Sequence, residues 1–342
     1  MQLTLNTSEE KMSAAFMTFR GSLASKLRKG KQMMTQIPVI IDTDPGIDDA
    51  VALVIALSHP RLAVQLITTV SGNVDVVQTT NNALKLVEFM GKKIAVAKGC
   101  ARPLLIEPED ASDIHGETGM AGYAFPGQQS KVVDAHAVEA MRRVLEQSDE
   151  PVVILAIAAL TNIALLFSLY PEVKSKVAKI VMMGGTLSRG NTTSAAEFNT
   201  YVDPHAAQMV FQSGVPLVMV GLDVTSTAVL TPKEMTQIKT FGEVGEMCYG
   251  LFQHYRGGSL KTGLKMHDVC AVAYLVSPDL FRTQDTFVDV ALEGPAAGVT
   301  VADLKMSYHS VTNCAVCLEI DVPLFQNWLV EHLALAGEKQ YG

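Results

Sequence analysis

The chain has 342 residues, 48% of them hydrophobic and 18% charged, which excludes wholesale disorder and a small disulfide-stapled domain. Against 35 Asp and Glu stand 27 Lys and Arg, a net charge of −8, so a general nucleic-acid binder, which would be basic, is set aside. Six basic and two acidic side chains fall in the first 37 residues, leaving the rest at −12, a body suited to cations and neutral small molecules. Five scattered cysteines (100, 248, 270, 314 and 317), an odd number, argue for a reducing compartment and a cytoplasmic location.

Residues 1–36 are rich in Ser, Met and Lys and lack the apolar core of a secretory signal. They are read as an extension outside the fold, with residues 37–340 as one domain. Short apolar runs follow at 39–42, 64–69, 94–97, 152–157, 180–183 and 217–220, the pattern of strands covered on both faces. Helix-period segments alternate with them at 48–58, 76–90, 135–147, 162–169 and 204–213. The apolar window 152–170 is interrupted by Thr161, Asn162 and Ser168 and bracketed by Pro151 and Pro171, so it reads as a buried strand and helix, and no membrane partner is expected. After Asp223 the rhythm changes to helices at 232–238, 244–254 and 268–275, extended segments at 287–292, 299–303 and 313–320, and a last helix from Pro323. Cys314 and Cys317 lie on one such strand, facing opposite sides, so their C-x-x-C spacing is not read as a redox pair. The alternation predicts an α/β fold, an open, mostly parallel sheet with helices on both faces. Ligands of such sheets bind beyond the carboxyl ends of the strands.

The first strand ends in Asp42-Thr-Asp44-Pro-Gly-Ile-Asp48-Asp49, four carboxylates in eight residues. Helix capping accounts for one or two of them. Four need a cation or raised pKa values. With no His/Cys pair nearby the ligation is by oxygen, which leaves Ca²⁺, Mg²⁺ and Mn²⁺ open. An EF-hand loop fails because Leu53 stands where its bidentate Glu belongs. A metal-dependent phosphatase with Asp42 as nucleophile also uses D-x-D, but Gly46 departs from that pattern.

D-x-D-P-G-x-D-D-A resembles the N-terminal fingerprint of the inosine–uridine preferring nucleoside hydrolases, and the resemblance runs along almost the whole body. It takes in Thr69-Val-Ser-Gly-Asn73, Ile114-His-Gly-Glu117, Leu160-Thr-Asn-Ile-Ala164, Ala196-Glu-Phe-Asn199 and Met266-His-Asp268. The segments 115–123 and 254–268 are most similar to the bacterial branch of broad, purine and pyrimidine specificity. The resemblance implies a Rossmann-like hydrolase fold. The implied activity is hydrolysis of the N-glycosidic bond of ribonucleosides to ribose and free base, a salvage reaction with an oxocarbenium-like transition state. It further implies one Ca²⁺ per subunit and a homodimer or homotetramer. A nucleoside-binding protein without turnover is the alternative from another class.

The resemblance also implies roles. Asp44, Asp49, Asp268 and the backbone carbonyl of Ile157 would hold Ca²⁺, and Asp44 would be the general base. Asp48, Asn73, Asn191, Glu197 and Asn199 would contact ribose. His115 and Tyr255 would contact the base, Tyr255 from a helix over the pocket, and His267 would be the acid that helps the base leave. If Glu197-Phe198-Asn199 is extended, both polar side chains share one face. Two departures stand out. Ala158-Ala159 replaces the Gly-Gly or Gly-Pro common in relatives, and the N-terminal extension has no counterpart in the family pattern. Separately, the single Trp, Trp328, in the last helix, argues against a tryptophan-stacked purine pocket.

Overall fold

The computed structural model describes residues 36–127 and 129–339, so the reading of residues 1–35 as an extension lies outside the described residues. Strand β1 (Ile37–Thr43) is apolar and β-branched through its middle, and Pro45-Gly46 ends it. Helix α1 (Ile47–Ser58) starts at once, with the Gly46 amide donating to Asp49 Oδ2 at 3.0 Å. All twelve residues of α1 are buried, its two aspartates included. It is the central helix of one layer, and trimming a core residue such as Leu53 to Ala costs about 2–5 kcal/mol.

Then come β2 (Leu62–Thr69), α2 (Val76–Phe89, capped by Asp75), β3 (Ala95–Lys98) and a long excursion carrying α3 (Ser112–His115). Helix α4 (Ala137–Gln147) leads to β4 (Val152–Ala156), α5 (Thr161–Leu169) and β5 (Val177–Met183). Next are α6 (Phe198–Tyr201), α7 (Pro204–Phe211), β6 (Leu217–Val220) and α8 (Leu222–Thr225). The remainder comprises β7 (Val229–Leu230), α9 (Pro232–Ile238), α10 (Gly242–Phe252), β8 (Gly258–Ser259), β9 (Gly263–Lys265) and α11 (His267–Val276). It closes with β10 (Phe281–Thr286), β11 (Val288–Val290), β12 (Thr300–Ala302), β13 (Cys314–Ile320) and α12 (Val322–Lys339).

The main sheet has eight strands in the order β3-β2-β1-β4-β5-β6-β13-β10, and β10 alone runs antiparallel to its neighbour. Helices α4, α5 and α7 pack together on one face, and α1, α10, α11 and α12 on the other. The strand order 3-2-1-4-5-6 reverses between β1 and β4, the switch point where such sheets open a crevice at their carboxyl ends. The Ile157 amide bridges that point, donating to the Asp42 carbonyl at 2.8 Å.

The apolar window 152–170 resolves into β4 and α5, and no described helix is long and apolar enough to cross a membrane. The edge strand was missed, and the two extended segments expected after it are present. Strand β10 was not foreseen, because Phe-Arg-Thr-Gln-Asp-Thr is polar, as suits a strand with a single neighbour at the sheet edge. The extended segments at 287–292 and 299–303 lie outside the main sheet, where β11 and β12 pair with each other. The cysteines are free, and burial pushes the Cys317 thiol up to about 12, so the C-x-x-C is inert packing.

Candidate active site

Asp44 follows β1 directly and is buried. Its Oδ2 accepts the Asn73 amide at 2.6 Å, while its Oδ1 is buried without a hydrogen-bond partner. Asp49 is held from three sides, by Thr43 Oγ1 at 2.6 Å, the Gly46 amide at 3.0 Å and Asn73 Nδ2 at 3.0 Å. Asp268, the second residue of α11, comes from much further along the chain and places its carboxylate beside that of Asp49. One carboxylate oxygen from each of Asp48, Asp49 and Asp268 lies within 4.8 Å of the others, with Asp44 close enough to raise the pKa of Asp268.

The electrostatic consequence is strain of one sign. Burial, then repulsion from neighbouring carboxylates, raises Asp44 and Asp268 well above the usual carboxylate range, and the same causes push Asp48 up to about 7. No described Lys or Arg makes a salt bridge to any of them. A buried oxygen-only cluster with an unpartnered Asp44 oxygen fits a hard divalent cation.

These groups floor a cavity of about 540 Å³, a size that suits a small molecule. Every residue assigned to the site from the sequence lines it except Asp49, which sits just behind among the clustered carboxylates. Asp42 does not line it. That residue is fully buried, with Oδ1 accepting from Thr68 Oγ1 at 2.6 Å and Asn162 Nδ2 at 2.8 Å, so a nucleophilic role has no access to substrate.

The family model of the inosine–uridine preferring nucleoside hydrolases matches residues 39–327. The chain belongs to this family. It is 48% identical over 303 residues to the non-specific ribonucleoside hydrolase RihC of Escherichia coli K12, covering 88% of this chain and all of that protein. Among solved structures it is similar to the purine-preferring ribonucleoside hydrolase from Gardnerella vaginalis (TM-score 0.83, 32% identity, 88% of this chain and 99% of that one). It is also similar to a plant nucleoside hydrolase (TM-score 0.81, 30% identity, 87% and 99%).

In this nucleoside hydrolase the two site histidines are neutral. Burial lowers His115 to about 4. Its Nδ1 accepts the Ile47 amide at 3.1 Å, which leaves the proton on Nε2. Burial, followed by the nearby Lys265, lowers His267 to about 3, and its Nδ1 lies 2.8 Å from Thr225 Oγ1. Tyr255 lies beyond the end of α10, in irregular chain, where its hydroxyl donates to Asp48 and its ring meets His115 at 5.4 Å. That corrects the expectation of a helix bearing it.

The polar side chains on the opposite wall are pinned too. Glu197 Oε2 accepts the Gly185 amide at 2.9 Å and caps α6 through Thr200, so the segment turns helical and the extended reading of 197–199 is wrong. Asn199 Nδ2 donates to the Met183 carbonyl at 3.1 Å, and Asn191 Oδ1 accepts the Phe198 amide at 3.0 Å. Ala158 and Ala159 are both buried beside the Ile157 carbonyl, and Trp328 is buried in α12, away from the cavity. Sequence reasoning missed Glu109, Asp110, Asp113, Arg256 and Lys265, which line the outer cavity. Lys265 carried a signal, two residues before His267.

Proposed function

We propose that this nucleoside hydrolase cleaves the N-glycosidic bond of purine and pyrimidine ribonucleosides in the cytoplasm, releasing ribose and free base. The carrying observation is the buried carboxylate cluster at the β1/β4 switch point, with one Asp44 oxygen left unpartnered inside a nucleoside-sized cavity. Asp44, Asp49, Asp268 and the Ile157 carbonyl would hold one Ca²⁺. When bound, that ion lowers the pKa of a water in its shell and grips vicinal hydroxyls. Relatives' names point the same way, since RihC is called a non-specific ribonucleoside hydrolase. The family resemblance also suggests a homodimer or homotetramer.

Asp44 takes the proton of the attacking water at its carboxylate. Asp48, Asn191, Glu197 and Asn199 orient the ribose through their uncommitted oxygens and amides. Asn73 spends its Nδ2 on the Asp44 carbonyl and Asp49, so only its Oδ1 remains for sugar. As the C1′–N bond breaks, its electron pair goes to the base. His267 and His115, both neutral, meet the base as N–H donors, with His267 relaying a proton late in bond breaking as its Nδ1 takes one up from solvent through the Thr225 hydroxyl, while the Tyr255 ring lies against His115. A reducing-sugar assay on inosine and uridine tests the reading for wild type and Asp44→Asn. Ribose from wild type and none from the variant is expected. No ribose from either, in calcium-loaded protein, overturns it.

A further inference from the structure

The cavity is polarised in charge. Its floor is acidic and buried. Two basic side chains, Arg256 and Lys265, line its outer part. Arg256 is anchored, because its Nη1 donates to the Asp113 carbonyl at 2.9 Å and its amide to the Ile114 carbonyl at 3.2 Å, tying the 255–258 segment to α3. Lys265 is different. It ends β9, its backbone fixed by pairing with Val229 and by its amide bond to the Gly257 carbonyl, while its side chain is exposed to the cavity and makes no described hydrogen bond or ion pair. It lines the same cavity as His267, two residues on in the chain, which places the ammonium on the side of the leaving base.

We propose that Lys265 is a specificity-determining residue that reads the distal edge of the leaving base, favouring an oxo group there over an amino group. This rests on the hydrolase reading above. With ribose held on the buried floor, a base attached at C1′ passes His267 and extends toward the opening, where Lys265 stands. An ammonium has three donors and no acceptor. It pairs with the 6-oxo group of hypoxanthine or the 4-oxo group of uracil, and it finds no acceptor in the amino group that adenine or cytosine carries at the same position. Lys265 keeps its proton throughout. The water's oxygen goes to C1′, one water proton to Asp44, and the base receives its proton from the site's acid.

The test pairs substrates that differ only at this edge, inosine with adenosine and uridine with cytidine, on wild type, Lys265→Met and Lys265→Arg. Lys265→Met is expected to lower kcat/KM for inosine and uridine about 10- to 100-fold, the scale of a hydrogen bond to a charged group, and to leave adenosine and cytidine nearly unchanged. Lys265→Arg should keep most of the preference. Inhibition of inosine cleavage by hypoxanthine should weaken in Lys265→Met and that by adenine should not. Equal losses on both members of each pair, or unchanged preference in Lys265→Met, overturn the inference with the hydrolase intact. Wild type that frees no ribose from any of the four overturns the hydrolase reading instead.

Discussion

Gly72 runs so close to Asp44 that a Cβ added to the glycine would overlap the Asp44 carboxylate. The next amide in the chain, Asn73 N, donates to that carboxylate at 2.6 Å. The loop after β2 therefore fixes Oδ2 and leaves Oδ1 as the uncommitted oxygen of that carboxylate. Gly72→Ala should displace the carboxylate without touching its chemistry. The expected result is a loss of kcat approaching the about 10²- to 10⁴-fold of a lost general base, with little change in Tm. Steady-state kinetics beside a thermal melt checks this, and unimpaired kcat would show that the loop does not set the base.

The carboxylate cluster predicts a proton count. Without a cation, burial and mutual repulsion hold Asp44, Asp48, Asp49 and Asp268 above the usual carboxylate range. A cation restores their charge, so Ca²⁺ binding near pH 7 should expel protons. Titration calorimetry in two buffers of different ionisation enthalpy reads the number. Chelation should also lower Tm, since a ligand at a hundredfold excess over its Kd stabilises by about 2.7 kcal/mol. Binding with no proton release would mean that the carboxylates are already ionised without metal.

Much of this site was legible because it is local. Asp42 to Asp49 close one strand and open one helix, and the strand rhythm alone placed that turn at a carboxyl end. What could not be read was the side-chain partition. Asp48 and Asp49 are adjacent on α1, yet Asp48 faces the cavity and the Tyr255 hydroxyl while Asp49 faces Thr43 and Asn73. Only the packing of α1 against α11, far apart in sequence, decides that. The same limit applies to Glu197, whose carboxylate caps its own short helix and so overrides the extended reading. Lys265 was passed over because its placement comes from β9 pairing with β7, strands of three and two residues that are too short for a periodic signature.

Pinned polar groups at the sugar end predict discrimination at the ribose. Glu197, Asn199 and Asn191 each spend one polar atom on backbone, which leaves their remaining atoms in fixed directions. A substrate without its 2′-hydroxyl leaves buried groups unpaired, so deoxyinosine should be cut about 10⁴-fold less efficiently than inosine. Competition kinetics measures the ratio. A ratio near one would show that the 2′-hydroxyl is not held.

His115 supplies a pH dependence with a definite sign. Its folded pKa of about 4 lies below the ordinary 6.5, because burial disfavours the imidazolium, and Nδ1 is already occupied by the Ile47 amide. The unfolded chain therefore takes up a proton at higher pH than the folded one. The contribution is complete above pH 6.5 and is lost as pH falls toward 4. Between pH 7 and 5 this one group should cost wild type about 2 kcal/mol. Urea midpoints at the two pH values, for wild type and His115→Gln, isolate it, since the other acidic groups are common to both. The variant should start less stable at pH 7, having lost the ring from its contact with Tyr255, and then fall less on acidification. Parallel acid losses in the two proteins would show that His115 is charged in the fold and meets the base as an imidazolium.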